Sequence, residues 1–224
     1  MMKITITMLA LMALTACQRT GQPDRALLTA ARSGDAKAQM QLALAYDCGE
    51  GGVVQDYAEA ARWYHAAAVQ GVTEAMNNLG VLYKDGQGVS QDYTEAATWF
   101  TMAAERGNIL ALTNLGWILE TGNGLDQNYA EARHCYQRAA HHGHAAAQNN
   151  LARMFRDGLG MPPDADSARY WFEASARQGL PQAQYNLGMM LLADSLTADT
   201  ASAFHWLRLA ARQGHTGARR ELKN

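Results

Sequence analysis

The feature that most constrains the fold is a repeat of about 36 residues that runs through most of the chain. Glycines at 34, 71, 107, 143, 179 and 214 lie 37, 36, 36, 36 and 35 residues apart, and an alanine follows each four positions later. A leucine, here called the slot leucine, stands eight residues after each of the first five glycines. A large apolar residue follows four positions after that leucine. Apolar residues at this spacing share one face of a helix, so the block predicts an amphipathic helix, here called helix A.

Each period contains a second helical block, here called helix B. It begins at or near an Asp or Asn suited to capping a helix N-terminus, and it ends on a pair of small residues. One position of helix B, here called the tryptophan slot, is occupied in the five repeats by Trp63, Trp99, Cys135, Trp171 and Trp206. Loops with paired glycines, such as 85–89, permit a tight reversal between helix A and helix B. Each period is therefore predicted to be a helical hairpin.

One hairpin of this size cannot bury its own apolar face, so neighbouring hairpins must stack to complete the core. We therefore predict an all-α fold, a right-handed α-solenoid of five helical hairpins at about 35–70, 71–106, 107–142, 143–178 and 179–214. Residues 23–33 and 216–224 are predicted as capping helices, so that the solenoid domain spans 23–224. A composition with 48% hydrophobic residues, 18% charged residues and four prolines favours packed helices over an all-β or disordered chain.

The N-terminus has the layout of a signal peptide. Residues 1–16 carry one charge, Lys3, followed by an uncharged, mostly apolar run of 13 residues, whereas crossing a bilayer takes roughly 20. Leu14-Thr15-Ala16-Cys17 resembles the bacterial lipobox, which implies cleavage before Cys17, its acylation, and a short linker over 17–22. Gln18, rather than aspartate, follows this cysteine, and in similar lipoproteins that favours the periplasmic face of the outer membrane. The alternative is an ordinary secretory signal with a chance cysteine.

The repeat as a whole resembles a known family. The pattern over 75–107 combines Asn-Leu-Gly, Tyr, a double-glycine loop, Asp-Tyr, Trp-Phe and Ala-Ala-x-x-Gly. It is similar to the Sel1-like repeat, a relative of the tetratricopeptide repeat, and five copies agree. The resemblance implies a non-enzymatic adaptor that holds other proteins; similar bacterial lipoproteins include envelope scaffolds and immunity proteins. The fifth repeat departs most, because 194–197 lacks both loop glycines.

The sequence contains no nucleophile with a paired base, no metalloprotease helix and no phosphate loop, so we predict no enzymatic activity and no cofactor. Nineteen basic against 21 acidic side chains argue against a nucleic-acid partner. His134, Cys135, His141, His142 and His144 crowd one stretch and raise the possibility of zinc. Cys135 occupies the tryptophan slot, however, and should be a buried apolar residue, so we predict no metal site. We also expect Cys48 and Cys135 to be free thiols.

By analogy with tetratricopeptide arrays, helix A should line a concave groove that binds a protein or peptide partner. The predicted groove residues are Met40, Leu44, Asn77, Val81, Lys84, Thr113, Trp117, Asn149, Arg153, Arg156, Tyr185 and Met189. The same register includes Glu120. Trp117 is the one tryptophan outside the helix B slot and is the expected anchor, and its alternative role is packing between helices. The cations Lys84, Arg153 and Arg156 suit an acidic or mixed-charge partner.

These features predict a lipid-anchored protein of the bacterial envelope that binds a protein or peptide partner, as an immunity protein or an adaptor. Two alternatives stay open from the sequence. One is a structural scaffold of an envelope or polysaccharide-export assembly, and the other is a weak hydrolase. The partner and the oligomeric state are left open.

Overall fold

A computed structural model of the chain describes residues 22–193 and 200–223. Within these ranges the fold is all-α and contains no strand. The helices are α1 (Arg25–Arg32), α2 (Ala36–Cys48), α3 (Tyr57–Ala68), α4 (Thr73–Asp85), α5 (Tyr93–Glu105), α6 (Ile109–Thr121), α7 (Tyr129–His141), α8 (Ala145–Asp157), α9 (Ala165–Arg177), α10 (Pro181–Ala193), α11 (Thr200–Arg212) and α12 (Thr216–Glu221). The predicted signal peptide, Cys17 and the loop at 194–197 lie outside the described residues.

The even-numbered helices α2 to α10 are the predicted A helices, and the odd-numbered helices α3 to α11 are the predicted B helices. Capping side chains begin many of them: Asp56, for example, accepts from the backbone N–H groups of Ala58 and Glu59 at the start of α3. The A helices α2, α4, α6 and α8 each end at a glycine in the left-handed region, such as Gly86 with φ 68°. Caps and glycine stops therefore explain why one sequence period gives one hairpin.

The chain divides into two compact units, and the first comprises the described residues up to Met102. In it, α1 packs on α2, α2 on α3, and α3 on α4. Ala31 of α1 joins Ala38 and Leu42 of α2 in one apolar cluster that Leu27, Leu28 and Trp63 extend. The predicted N-terminal capping helix is thus present and covers the first hairpin.

The second unit begins at Ala103 and continues the same arrangement from α6 to α12. One of its apolar clusters combines Leu187 of α10 with Phe172 of α9 and small residues of α8, α9 and α11. At the C-terminal end, Leu207 and Ala210 of α11 pack on Ala218 of α12. The predicted all-α class, with stacked hairpins and capping helices, is confirmed.

Close packing within a hairpin depends on a small residue one position after the slot leucine of helix A. At Gly116, an added Cβ would lie 2.8 Å from the ring of the fully buried Tyr136 on α7. Gly80 stands against Phe100 in the same way. The small residues let a large ring of helix B pack directly on the backbone of helix A, which brings the two helices close together.

None of the helices in the described ranges combines the length and apolarity needed to cross a bilayer. The longest of them has 13 residues.

Candidate protein-binding face

The candidate site is the solvent-accessible side of the A helices within each unit, here called the helix-A face. Two positions after each slot leucine stands a side chain that the structure leaves at least partly exposed, and these side chains are Leu44, Val81, Trp117, Arg153 and Met189. One position earlier, every repeat has a buried Ala or Gly. A single register therefore separates core positions from surface positions along each A helix, as the sequence predicts.

Three of the twelve predicted groove residues are buried instead, which corrects the prediction for Asn77, Thr113 and Asn149. Their exposed fractions are 5%, 8% and 7%. The Asn149 carboxamide oxygen accepts from the side-chain amide of Asn186 at 2.9 Å, and Thr113 Oγ1 lies 2.8 Å from Nδ1 of His144. These groups satisfy one another between helices, because an unpaired polar group in the interior would be costly. They are therefore not available to contact a partner.

Glu120 is also buried, although the register places it on the helix-A face. Its exposed fraction is 8%. The carboxylate accepts from the hydroxyl of Tyr136 at 3.0 Å and is bound through both oxygens by Nη2 of Arg153, which lies 2.6 Å from Oε2. Burial, together with the charge of Glu120, raises the pKa of Tyr136 above its usual value. The buried Glu120 carboxylate therefore fixes the position of the Arg153 guanidinium.

The predicted cations of the face are all compensated by neighbouring carboxylates. Arg156 binds Asp157 through two hydrogen bonds of 2.7 and 2.9 Å, and it lowers the pKa of that carboxyl. Lys84 Nζ pairs with Oδ1 of Asp85, and Arg153 pairs with Glu120. The expected acidic or mixed-charge partner is therefore not favoured by this face, because each cation already has its counter-charge.

Two more predicted residues, Tyr185 and Met189 on α10, are partly covered by the C-terminal helix. Both pack against the cluster formed by Leu207, Ala210 and Ala218. The Tyr185 ring stacks on His215, with ring centroids 4.4 Å apart. The capping helix α12 therefore covers part of the helix-A face near Tyr185 and Met189. Trp117 and Arg153 lie on other helices, α6 and α8.

A pairing rule that the repeat pattern alone does not predict connects helix A with helix B. Where helix B carries a buried tyrosine after the tryptophan slot, the same repeat has an acid five positions after the slot leucine: Asp47 accepts from Tyr64 at 2.8 Å, and Glu120 accepts from Tyr136. Where that residue is phenylalanine, the partner slot holds a cation, and Arg156 lies over the Phe172 ring at 5.7 Å. Comparing the two slots repeat by repeat would have revealed this pattern.

The two cysteines outside the lipobox behave as predicted. Both are free, with Cys48 exposed and Cys135 buried. Burial raises the pKa of Cys135 to about 11. Cys135 therefore occupies the tryptophan slot as a small apolar residue.

The histidines near Cys135 are used in packing and hydrogen bonding. The ring of His141 meets Trp171 edge to face at 5.3 Å, and Nδ1 of His142 lies 2.8 Å from the carbonyl oxygen of Arg138. In the part of the chain that the structure describes, no group of three or more His, Cys, Asp or Glu side chains is placed to hold a metal ion.

An array of helical hairpins whose surface slots vary while its core slots stay small or apolar defines a helical repeat protein of the protein-interaction class. The family model of the Sel1 repeat matches the chain five times, over residues 36–72, 73–108, 109–144, 145–180 and 181–215. The chain belongs to the Sel1 repeat family.

Solved structures agree with this assignment. A Sel1 repeat protein from Oxalobacter formigenes is 32% identical with a TM-score of 0.77, over 83% of this chain and 74% of that one. A protective antigen of uropathogenic Escherichia coli with an SLR fold is 32% identical with a TM-score of 0.54; the match covers 86% of this chain and 49%, about half, of that one. An immunity protein from Pseudomonas aeruginosa is 21% identical with a TM-score of 0.54, over 82% and 66% of the two chains, and shares the fold. No curated protein matches the chain.

Proposed function

We propose that this chain is a lipid-anchored protein of the bacterial envelope that binds a protein partner through its helix-A face, as an immunity protein or an adaptor. The Leu14 to Cys17 lipobox supports the anchor, and the absence of aspartate after Cys17 supports the periplasmic face of the outer membrane. Immunity proteins of Pseudomonas aeruginosa are among the proteins with this fold. They support a protein, rather than a small molecule, as the partner.

The observation that carries the proposal is the variation at one surface slot. Leu44, Val81, Trp117, Arg153 and Met189 occupy equivalent positions, all are at least partly exposed, and no two are alike. A partner that does not itself repeat would require such differences along a repeating scaffold. Trp117 is half-buried, so it offers an apolar surface whose orientation is already restricted, as an interface anchor should be.

The charge balance of the face refines what its partner should be. Since Lys84, Arg153 and Arg156 are each paired with a carboxylate, an incoming acidic group would gain little from them and would compete with existing ion pairs. An apolar side chain seated beside Trp117, with a neutral hydrogen-bond acceptor near Arg153, fits the face better. The partner segment should therefore be apolar and uncharged at its centre.

Site-specific photo-crosslinking in cells tests the partner-binding face. A photoreactive amino acid at Trp117 or Met189 should give a discrete adduct with one envelope protein. The matched control replaces Tyr170, which lies on helix B and is 65% exposed, and should give none. The proposal fails if the control residue captures the same protein as strongly. An adduct with a secreted toxin would favour immunity, whereas a component of an export machine would favour the scaffold alternative.

A further inference from the structure

The C-terminal end of the chain carries a concentration of uncompensated positive charge. Residues 200–223 contain five cations and one carboxylate, Glu221. The cations are exposed and are here called the C-terminal basic surface: Arg208, Arg212, Arg219, Arg220 and Lys223. Within the described ranges none of the five forms an ion pair with a carboxylate. This surface therefore differs from the helix-A face, where every predicted cation is neutralised.

The five side chains lie on one continuous part of the fold. Arg208 and Arg212 are four residues apart, so they share a face of α11, and Phe204 begins the same row. Arg219 lies at the junction of the two helices, because its Nε donates to the carbonyl oxygen of Ala211 at the end of α11 at 3.1 Å. Since α11 and α12 pack on each other through Leu207, Ala210 and Ala218, the five cations lie on two helices that are in contact.

A helix that caps a solenoid needs a polar outer face. A mixture of acidic and basic side chains makes a helix surface polar, and a B helix of this unit carries such a mixture. On α9, Arg177 pairs with Glu173 at 2.6 Å. Charge of one sign repels itself and is tolerated where it attracts something of the opposite sign. The excess positive charge on α11 and α12 therefore favours a partner that carries negative charge.

We propose that the C-terminal basic surface is a docking site for an acidic polypeptide segment, separate from the helix-A face. Charge complementarity defines the partner, and the exposed edge of Phe204 (36% exposed) offers one apolar contact beside Arg208. An anionic membrane suits the surface less well. A membrane-surface helix inserts a broad apolar face between lipids, whereas the apolar face of α11, with Ala203, Leu207 and Ala210, is buried within the protein.

The test uses the full chain and a fluorescein-labelled twelve-residue peptide that contains six glutamates and two phenylalanines. Anisotropy titrations should show binding that weakens when NaCl is raised from 25 to 250 mM, because salt screens exposed charges. The quadruple variant R208E/R212E/R220E/K223E should bind the peptide at least tenfold more weakly. A second variant with glutamine at the same four positions avoids placing acids at helix C-termini and should bind several-fold more weakly. Circular dichroism verifies that both remain folded.

The matched control reverses the charge of four exposed cations of the first unit, R25E/R32E/K37E/R62E. Its net charge therefore changes by the same amount as that of the quadruple C-terminal glutamate variant. It should retain most of the affinity, and an equal loss would overturn the proposal as a general charge effect. Failure of the wild-type chain to bind the peptide would also overturn it, as would C-terminal-dependent binding to phosphatidylglycerol vesicles without peptide binding. Trp117→Ala should leave the peptide affinity unchanged, since a loss there would place the peptide on the helix-A face.

Discussion

Arg153 on α8 binds the buried carboxylate of Glu120 on α6, 33 residues earlier in the chain, with Nη2 placed 2.6 Å from Oε2. The pair joins the A helices of two successive repeats. It also determines what the partly exposed Arg153 can do, because the guanidinium is held at the surface by a group beneath it. An arginine fixed in this way loses less conformational entropy when it meets a partner than a free one would.

Breaking this pair from either side should be costly, whereas removing both charges should not. Arg153→Met leaves the Glu120 carboxylate buried without a cation, and we expect a loss of about 2 to 3 kcal/mol in the free energy of unfolding. The double variant Glu120→Gln with Arg153→Met removes both charges, keeps a side-chain acceptor for the Tyr136 hydroxyl, and should recover most of that loss. Urea unfolding of the wild type, the two single variants and the double variant forms a complete mutant cycle. Additive losses would mean that the two residues do not interact.

The two buried tyrosines offer a matched comparison of their acceptors. Removing the hydroxyl of Tyr136 takes a donor away from the buried Glu120, and Tyr136→Phe should cost about 1 to 2 kcal/mol. Tyr64 donates to Asp47, which is half-buried and closer to water, so Tyr64→Phe should cost less than about 1 kcal/mol. Chemical denaturation measures both. A larger loss for Tyr64→Phe would contradict the burial argument.

The two thiols should differ sharply in reactivity. The thiolate is the reactive form, and burial raises the pKa of Cys135 to about 11. In the native protein at pH 8, a maleimide should therefore label Cys48 within minutes and leave Cys135 unmodified until the protein is denatured. Mass spectrometry after timed quenching reads both sites. Rapid native labelling of Cys135 at this pH would show that the third B helix is not packed as described.

Acid should weaken the contact between His144 and Thr113. Burial lowers the pKa of His144 below its usual value, so the unfolded chain takes up a proton at this residue at a higher pH than the folded chain does. Stability from this group is therefore present above the ordinary histidine pKa of about 6.5 and decreases as the pH falls below it. His144→Gln should show a flatter dependence of the melting temperature on pH between 7 and 5 than the wild type. Parallel curves would rule out this contribution.

The hairpins were predictable from the sequence because their signals are local and repeat five times. The slot leucines, the glycine stops and the tryptophan slot mark helix faces and helix ends directly, and each small residue beside a slot leucine is buried as the register requires. Even the substitution of tryptophan by Cys135 could be interpreted, since the flanking repeats define what its slot contains.

The polar interior was not predictable by the same means. Analogy with related arrays predicts Asn149 on the surface. Its hydrogen-bond partner in the structure, Asn186, lies 37 positions away in the sequence. Gln148 is buried in a similar way: it donates to the Ala140 carbonyl and accepts from Gln178. Such groups look like surface residues until their partners on neighbouring helices are known. Slots that change together, such as Glu120 with Tyr136, are the sequence signal that could have found them.

Trp117 and Trp99 allow the helix-A face to be tested before any partner is identified. Trp99 is 9% exposed and lies in the helix B slot, so Trp99→Ala should cost about 3 to 5 kcal/mol in the free energy of unfolding. Trp117 is half-buried, so less of its apolar area is removed from water, and Trp117→Ala should cost less than about 2 kcal/mol. The same substitution should weaken partner binding by about 2 kcal/mol or more, as expected for an aromatic anchor at the centre of an interface. Thermal and urea unfolding of both variants measure the first difference. If Trp117→Ala unfolds as readily as Trp99→Ala, Trp117 belongs to the packing between helices, and the anchor of the proposed interface must be sought at Leu44 or Val81.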